Sequence, residues 1–284
     1  TYVPDDNFEQ ALVDLGYDDV VNDFVLTANI SGVTSMTISN YQNEEDYVSD
    51  LTGIGGFTAL TTLNVSYNSL TTLDMSANTA LILLECHHNQ LTSLDLSNNT
   101  ALMSLTCQNN ELTALDVSAN TALTALNFQF NQLTSLDVSN NTALTSLDCS
   151  YNQITNIDVT NNTALTTLYL HYNELSSVDV TNNTALLTLY TGGNDSVTSL
   201  DVSNNTALQT LYTYNNSLTS LDLSNQPYLE SLWCQNNELT SLDVSNNTAL
   251  WRLYCQGNQL FYLNLKFGPP AQLTQFGFTG NDLT

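Results

Sequence analysis

Two sets of side chains in this chain recur at a spacing that could do chemistry. The first is acidic: Asp74, Asp95, Asp116, Asp137, Asp158, Asp179, Asp201, Asp222 and Asp243, each followed two residues later by Ser or Thr. Brought into register, these carboxylates stand one strand spacing apart, about 4.8 Å. At that distance neighbours repel by about 1 kcal/mol in water. Ser/Thr hydroxyls, backbone N–H groups or a hard cation would relieve the repulsion, because calcium takes several oxygen ligands. Asp116, Asp137, Asp158, Asp179 and Asp201 are the candidate calcium residues. No EF-hand motif accompanies them, so a solubilising, hydrogen-bonded ladder without a cofactor is the simpler expectation.

The second set is aromatic. At one recurring position the chain reads Asn64, Glu85, Thr106, Asn127, Asp148, then Tyr169, Tyr190, Tyr212, Trp233 and Tyr254. Tyr151, Tyr172 and Tyr214 lie two or three places further on in their own periods, as do Tyr67, His87, His88, Phe130 and His171. Stacked rings on adjacent strands stabilise a sheet by themselves. Rings rimmed by Gln, Asn and Ser also form a binding surface for a glycan chain or a protein partner. Gly192, Gly193 and Gly257 are expected to lower the surface and expose ring faces. Arg252, on the same face as Tyr254, is expected to pair with a neighbouring acid or, less simply, a ligand carboxylate.

Catalysis finds little support. No GxSxG, HExxH, P-loop or CxxC motif is present. Glu85 and His87 share a face, but two ligands are too few for a zinc site. Cys86, Cys107, Cys149, Cys234 and Cys255 occupy an inward position and read as small core fillers; Cys86/Cys107 and Cys234/Cys255 also fall on adjacent coils, where a disulfide needs specific geometry. The balance of 28 Asp and Glu against 2 Lys and Arg, net −26, repels phosphate backbones and anionic lipid, so nucleic-acid and membrane-surface partners are not expected. No apolar run approaches a membrane span of ~18 residues, and the first ten residues show no basic start and no apolar h-region, so any export signal is expected to have been removed already or to lie outside this sequence.

The elements that must position these residues follow from a period. Leu60 is followed at steps of 21 by Leu81, Leu102, Leu123, Leu144, Leu165 and Leu186, then by Leu208, Leu229, Leu250 and Leu273. The stretch "LTSLDVSNNTAL" stands letter for letter at 133–144 and at 239–250. A fixed period in the twenties indicates a solenoid. The two longer steps fall in "TGGNDSV" and "KFGPPAQ", where turn residues absorb insertions. Each period holds two halves of the form LxxLxLxxN, with positions 4 and 6 on one face of an extended segment. Thr, Ser, Val and Asn argue against helix. The Asn column from Asn68 and Asn89 to Asn237 and Asn258 is expected to bond backbone groups freed at each turn.

These motifs resemble leucine-rich repeats, specifically the 21-residue bacterial subclass with two leucine-rich halves. The opening "PDDNFEQALVDLG" resembles the N-terminal cap of secreted proteins from Bacteroidetes-type bacteria, with a helix that starts near Pro4 and Asp5 and turns Phe8, Leu12 and Leu15 to one side. The resemblance implies a right-handed parallel-β solenoid with two strand-like halves per turn. It divides into an N-terminal helical cap over 1–32, a degenerate first repeat over 33–59 and a repeat array of about ten to eleven coils over 60–284. The expected role is a non-catalytic recognition or adhesion module, secreted or at the cell surface, within a longer protein. It would bind a protein partner through Tyr151, Tyr169, Tyr172, Tyr190, Tyr212, Tyr214, Trp233, Tyr254 and Arg252. A polysaccharide ligand on the Tyr/Trp column, or a rigid spacer, are the alternatives.

Overall fold

The computed structural model describes residues 1–40, 44–266 and 273–283; of the "KFGPPAQ" turn only Lys266 lies among the described residues. The chain forms two compact units, Thr1–Ala143 and Leu144–Thr284, both built from parallel β coils.

The first unit opens with helix α1 (Asp6–Asp14), capped by Asp5, whose carboxylate accepts from the Phe8 N–H at 2.9 Å. Phe8 and Leu12 are buried, whereas Leu15 falls at the C-cap and is 43% exposed. The face of α1 is therefore narrower than the apolar spacing predicts, because the helix ends before Leu15 can turn inward. Glu9 is fully buried, and its two oxygens accept from the backbone N–H groups of Asn22, Asp23 and Phe24 at 2.8–2.9 Å. A short helix α2 (Thr27–Ile30) leads to strand β1 (Ser35–Thr37). Strands β2 (Thr62–Asn64), β3 (Leu83–Glu85), β4 (Ser104–Thr106) and β5 (Ala125–Asn127) follow, each parallel to the one before, with Met36, Leu63, Leu84, Leu105 and Leu126 in one inward row.

The second unit continues with β6 (Ser146–Asp148), β7 (Thr167–Tyr169), β8 (Thr188–Tyr190), β9 (Thr210–Tyr212), β10 (Ser231–Trp233), β11 (Ser241–Asp243), β12 (Arg252–Tyr254), β13 (Tyr262–Asn264) and β14 (Gln275–Gly277). Here β6 to β10, β12 and β14 pair in parallel. The second halves of the coils keep the same in–out alternation, but pair as β11 with β13 and at single bridges such as Asp179 to Asp201.

Each strand is three residues long; from β2 to β12 the central residue is a buried Leu, β1 centres on buried Met36, and in the last two strands the central Leu263 is half-buried and Phe276 exposed. Such short strands hold only because each coil also lays Leu, Val, Cys or Phe into the core and ties its turns with amides. Asn110 is representative: its Oδ1 accepts from the Leu91 N–H at 3.0 Å, and its Nδ2 donates to the carbonyls of Cys86 at 3.1 Å and Cys107 at 3.0 Å. A buried amide thus replaces the backbone partners that a turning strand loses.

A second amide column runs through the other half of the coil, in Asn78, Asn99, Asn120, Asn183, Asn205, Gln226 and Asn247, all fully buried. Its Nδ2 groups bridge two coils, as where Asn120 donates to Leu96 at 3.0 Å and Asn99 at 2.9 Å. The sequence signal was present but unread: the residue before Thr-Ala-Leu is Asn in coil after coil, while the one before it is Ala at 77 and 119 and Asn elsewhere.

The one-residue insertion in "TGGNDSV" is taken up just after Asn194. Asp195 adopts φ +34°, the Ser196 N–H turns back to the Asn194 carbonyl, and the Asn194 N–H itself takes the Asn216 Oδ1 at 3.2 Å. The next strand pairs in the same register as its predecessors.

Candidate functional site

In the second unit the strand registers bring Asp148, Tyr169, Tyr190, Tyr212, Trp233 and Tyr254 into one column. The rings are half-buried because they cover one another. Ring centroids are 4.6 Å apart for Tyr169–Tyr190, 4.3 Å for Tyr190–Tyr212 and 4.5 Å for Tyr212–Trp233, the last two within 20° of parallel. Tyr254 turns edge-on to Trp233 at 5.3 Å. Strand spacing matches the distance between stacked rings, so the column closes face to face. The ring faces that the sequence led us to expect are largely covered by neighbouring rings.

A second row runs beside it. Tyr151 stacks on Tyr172 at 4.5 Å, Tyr172 meets Tyr214 at 6.1 Å, and Tyr214 reaches Trp233 at 6.3 Å. Gly192 and Gly193 make this row continuous. A Cβ on Gly192 would lie 2.9 Å from the Tyr214 ring, and one on Gly193 2.7 Å from the Tyr172 ring. The glycines therefore let neighbouring rings settle onto the backbone and do not bare the face of Tyr190. At Gly257 a Cβ would collide with the Asn236 side chain, so this glycine also does not serve Tyr254.

Tyr151 and Tyr172 carry left-handed backbone, with φ of +53° and +54°, as do Tyr67, His88 and Phe130. The same place in other coils holds Asn109, Asn215, Asn236, Gly193 or Gly257, the residues that tolerate this region. A bulky side chain there costs on the order of 1–3 kcal/mol. Burial raises the phenol pKa of Tyr169 and Tyr214, and burial aided by the neighbouring Tyr212 raises that of Tyr190, so the hydroxyls of Tyr169, Tyr190 and Tyr214 stay protonated.

Among the described residues Arg252 finds no acid. Its Nε donates to the Gln275 Oε1 at 2.8 Å, its NH1 approaches the Tyr212 hydroxyl at 3.5 Å, and its guanidinium lies 4.4 Å over the Trp251 ring. The expected pairing with a neighbouring carboxylate is thus replaced by an amide and a cation–π contact, since the adjacent strand supplies Gln275.

In the first unit Tyr67 stacks on His88 at 4.3 Å, with His87 edge-on to both. Burial, aided by His88, lowers the His87 pKa and keeps the ring neutral. Glu85 is engaged by the Asn64 amide at 2.5 Å. Among the described residues no group of three or more His, Cys, Asp or Glu is arranged to hold a metal.

Along the acidic ladder each carboxylate folds back on its own chain. The Oδ1 atoms of Asp116, Asp137, Asp158, Asp179 and Asp201 accept from the N–H two residues on at 2.9–3.0 Å. Hydrogen bonds from the hydroxyl and then the N–H of that residue lower the pKa of Asp116, Asp158 and Asp179; for Asp201 the N–H leads. One oxygen of each calcium candidate is therefore already committed to the backbone.

The coil geometry finds counterparts among solved structures. The functional domain of InlJ from Listeria monocytogenes, described as including a cysteine ladder, shares 32% identity over 99% of this chain and 70% of its own, with a TM-score of 0.77. This chain is a leucine-rich-repeat protein. A leucine-rich-repeat protein of Leptospira interrogans (22% identity, 83% of this chain and 70% of its own, TM-score 0.68) and an internalin of Listeria monocytogenes (22%, 100% and 96%, TM-score 0.64) share the fold. No protein-family model and no curated protein sequence matches the chain.

As a leucine-rich-repeat protein it places Cys86, Cys107, Cys149, Cys234 and Cys255 inside the coils, all free and fully buried. The row is interrupted by Phe128, Leu170, Thr191 and Thr213. Burial pushes the thiols of Cys86 and Cys255 up to about 12. Sequence reasoning overlooked one grouping on the variable face of this leucine-rich-repeat protein. His171 lies within 6.1 Å, centroid to centroid, of the rings of Tyr151, Tyr169, Tyr172 and Tyr190, beside the half-buried carboxylate of Asp148. The signal was that Asp148 stands directly before the first aromatic of the column.

Proposed function

We propose that this leucine-rich-repeat protein is a non-catalytic recognition module that holds a protein partner against the aromatic strip of its second unit, in a secreted or cell-surface setting. Tyr151, Tyr169, Tyr172, Tyr190, Tyr212, Tyr214, Trp233, Tyr254 and Arg252 make the contact. One observation carries this reading: Tyr151 and Tyr172 occupy positive-φ positions that Asn or Gly fill without strain elsewhere. A sheet needing only stability has no use for bulky rings there, and strain concentrates where function needs it. The likeness to interaction domains supports the class of partner. One solved structure of the same fold, a plant receptor kinase ectodomain from Arabidopsis thaliana, is a complex with CASPARIAN STRIP INTEGRITY FACTOR 2.

The covered ring faces favour a protein over a sugar. A pyranose packs on a ring face, and these faces are taken by neighbouring rings. Tyr and Trp also lead among residues whose truncation costs binding energy.

The test sets an array of extracellular-domain proteins and a glycan array against the native chain and the double variant Tyr212→Ser, Trp233→Ser. Protein hits that weaken about 30-fold or more, equivalent to about 2 kcal/mol, are the expected result, with a variant that still melts cooperatively. Hits confined to glycans would overturn the partner class. Binding indifferent to both residues would leave the strip as a structural spacer.

A further inference from the structure

The stacked column of the second unit ends at a carboxylate. Tyr169 is covered by Tyr190 on one side and touched edge-on by His171. On the other side its register partner is Asp148, a side chain too short to cover a ring. Among the described residues no ring covers Tyr169 on that side, so the ring layer stops there, and the step down to the shorter Asp148 side chain forms a notch.

Asp148 is only half served. Its Oδ1 accepts from the Ser150 N–H at 3.0 Å and hydroxyl at 2.6 Å. Its Oδ2 has no hydrogen-bond partner among the described residues, and the base beside it is His171, whose pKa burial lowers. The chain's two basic residues are Arg252, already engaged by Gln275, Tyr212 and Trp251, and Lys266. A half-buried carboxylate without a counter-charge destabilises the fold that keeps it, just as the positive-φ rings of Tyr151 and Tyr172 do beside it.

We propose that this notch takes an arginine side chain from a basic, extended stretch of a protein partner. The guanidinium lies on the open face of Tyr169 as the next layer of the stack and donates to the Oδ2 of Asp148, while Tyr151, His171 and Tyr172 flank it. Arginine fits where lysine does not, because its head is planar, stacks on aromatic rings and carries its donors in the same plane. A net charge of −26 draws such a segment in from a distance. The inference rests on the reading of this face as a recognition surface and names the chemistry that surface selects.

The probes are acetylated hexa-arginine amide and hexa-lysine amide, titrated calorimetrically into the full chain at physiological salt. The native chain binds the arginine peptide at least threefold tighter than the lysine peptide. Asp148→Asn weakens the arginine peptide fivefold or more. Asp222→Asn, which removes the same charge from the exposed ladder, changes it by less than twofold. Tyr169→Leu abolishes the preference for arginine over lysine. Asp148→Asn melts no lower than the native chain, so lost binding is not lost folding. Equal effects of Asp148→Asn and Asp222→Asn, or no arginine preference in the native chain, overturn the proposal. A protein hit that depends on Tyr212 and Trp233 but ignores Asp148 sinks the arginine notch and leaves the recognition strip standing.

Discussion

The two amide columns do the same job with different completeness, and a pair of neighbouring substitutions measures the difference. Besides a long hydrogen bond at 3.4 Å to the Gln108 carbonyl, Asn110→Ala removes three good ones, to the Leu91 N–H and to the carbonyls of Cys86 and Cys107. At about 1 kcal/mol net for each, the cost is about 3 kcal/mol, and more where the Leu91 N–H stays dry. Asn120→Ala removes two, to the carbonyls of Leu96 and Asn99. It also removes a buried Oδ1 that has no partner, whose burial costs about 1–3 kcal/mol. The second substitution should therefore cost no more than about 1 kcal/mol. At roughly 2–4 °C per kcal/mol for a chain of this size, the Asn110 variant melts about 6–12 °C below the native chain. The Asn120 variant melts within about 4 °C of it. Thermal unfolding followed by far-ultraviolet circular dichroism reads both. Equal melting temperatures, or a larger drop for Asn120→Ala, would refute the assignment of the stronger tie to the column that accepts as well as donates.

Three further outcomes follow from the same geometry. The lowered carboxyl pKa values of Asp116, Asp158, Asp179 and Asp201 contribute stability that is present above the ordinary aspartate value and lost as pH falls through the depressed values. Burial raises Asp148 instead, so its contribution has the opposite sign, present at low pH and lost as pH rises through its folded value. A melting series from pH 2 to 6 should then fall steeply at the acid end, and Asp148→Asn should raise the midpoint at pH 7 relative to its effect at pH 3; a flat series counts against the ladder. Buried thiols with pKa values near 12 at Cys86 and Cys255 should resist iodoacetamide at pH 8 in the native chain and react fully in denaturant, as mass spectrometry will read. Glu9→Ala strands three backbone N–H groups, partly reachable by water, and should cost about 2–4 kcal/mol, seen as early proteolysis of the N-terminal segment; native-like resistance contradicts it.

The period was legible because one inward position carries a single physical demand, a Leu-sized apolar group in every coil, and it is Leu each time from Leu60 to Leu250. The registers of Tyr169, Tyr190, Tyr212 and Trp233 followed from the same arithmetic. What the residues do to each other once aligned was not legible. Stacking distance equals strand spacing, so rings expected to show their faces hide them. Arg252 was expected to seek an acid, but its cross-strand neighbour is Gln275 and its chain neighbour is Trp251. The helix of the cap was signalled by Pro4 and Asp5, yet its end came one residue before Leu15. The burial of Glu9 had no local signal, because nothing in its own neighbourhood foretells three amides arriving from residues 22–24. The second amide column was missed because it hides in text so repetitive that its fixed letter reads as part of the phrase.

Parallel registration has an evolutionary corollary. Leu189 pairs with Leu211 across a 22-residue step as Leu168 pairs with Leu189 across 21, so a coil hands the chain on to its successor in the same posture whatever its side chains say. A genetic duplication or loss spanning one whole period would keep every remaining rung matched and move the far end by a single layer. Near-identical segments invite such exchanges. A lineage of these genes could lengthen or shorten its docking strip in discrete steps, and change its vocabulary on one face while its grammar stays fixed on the other.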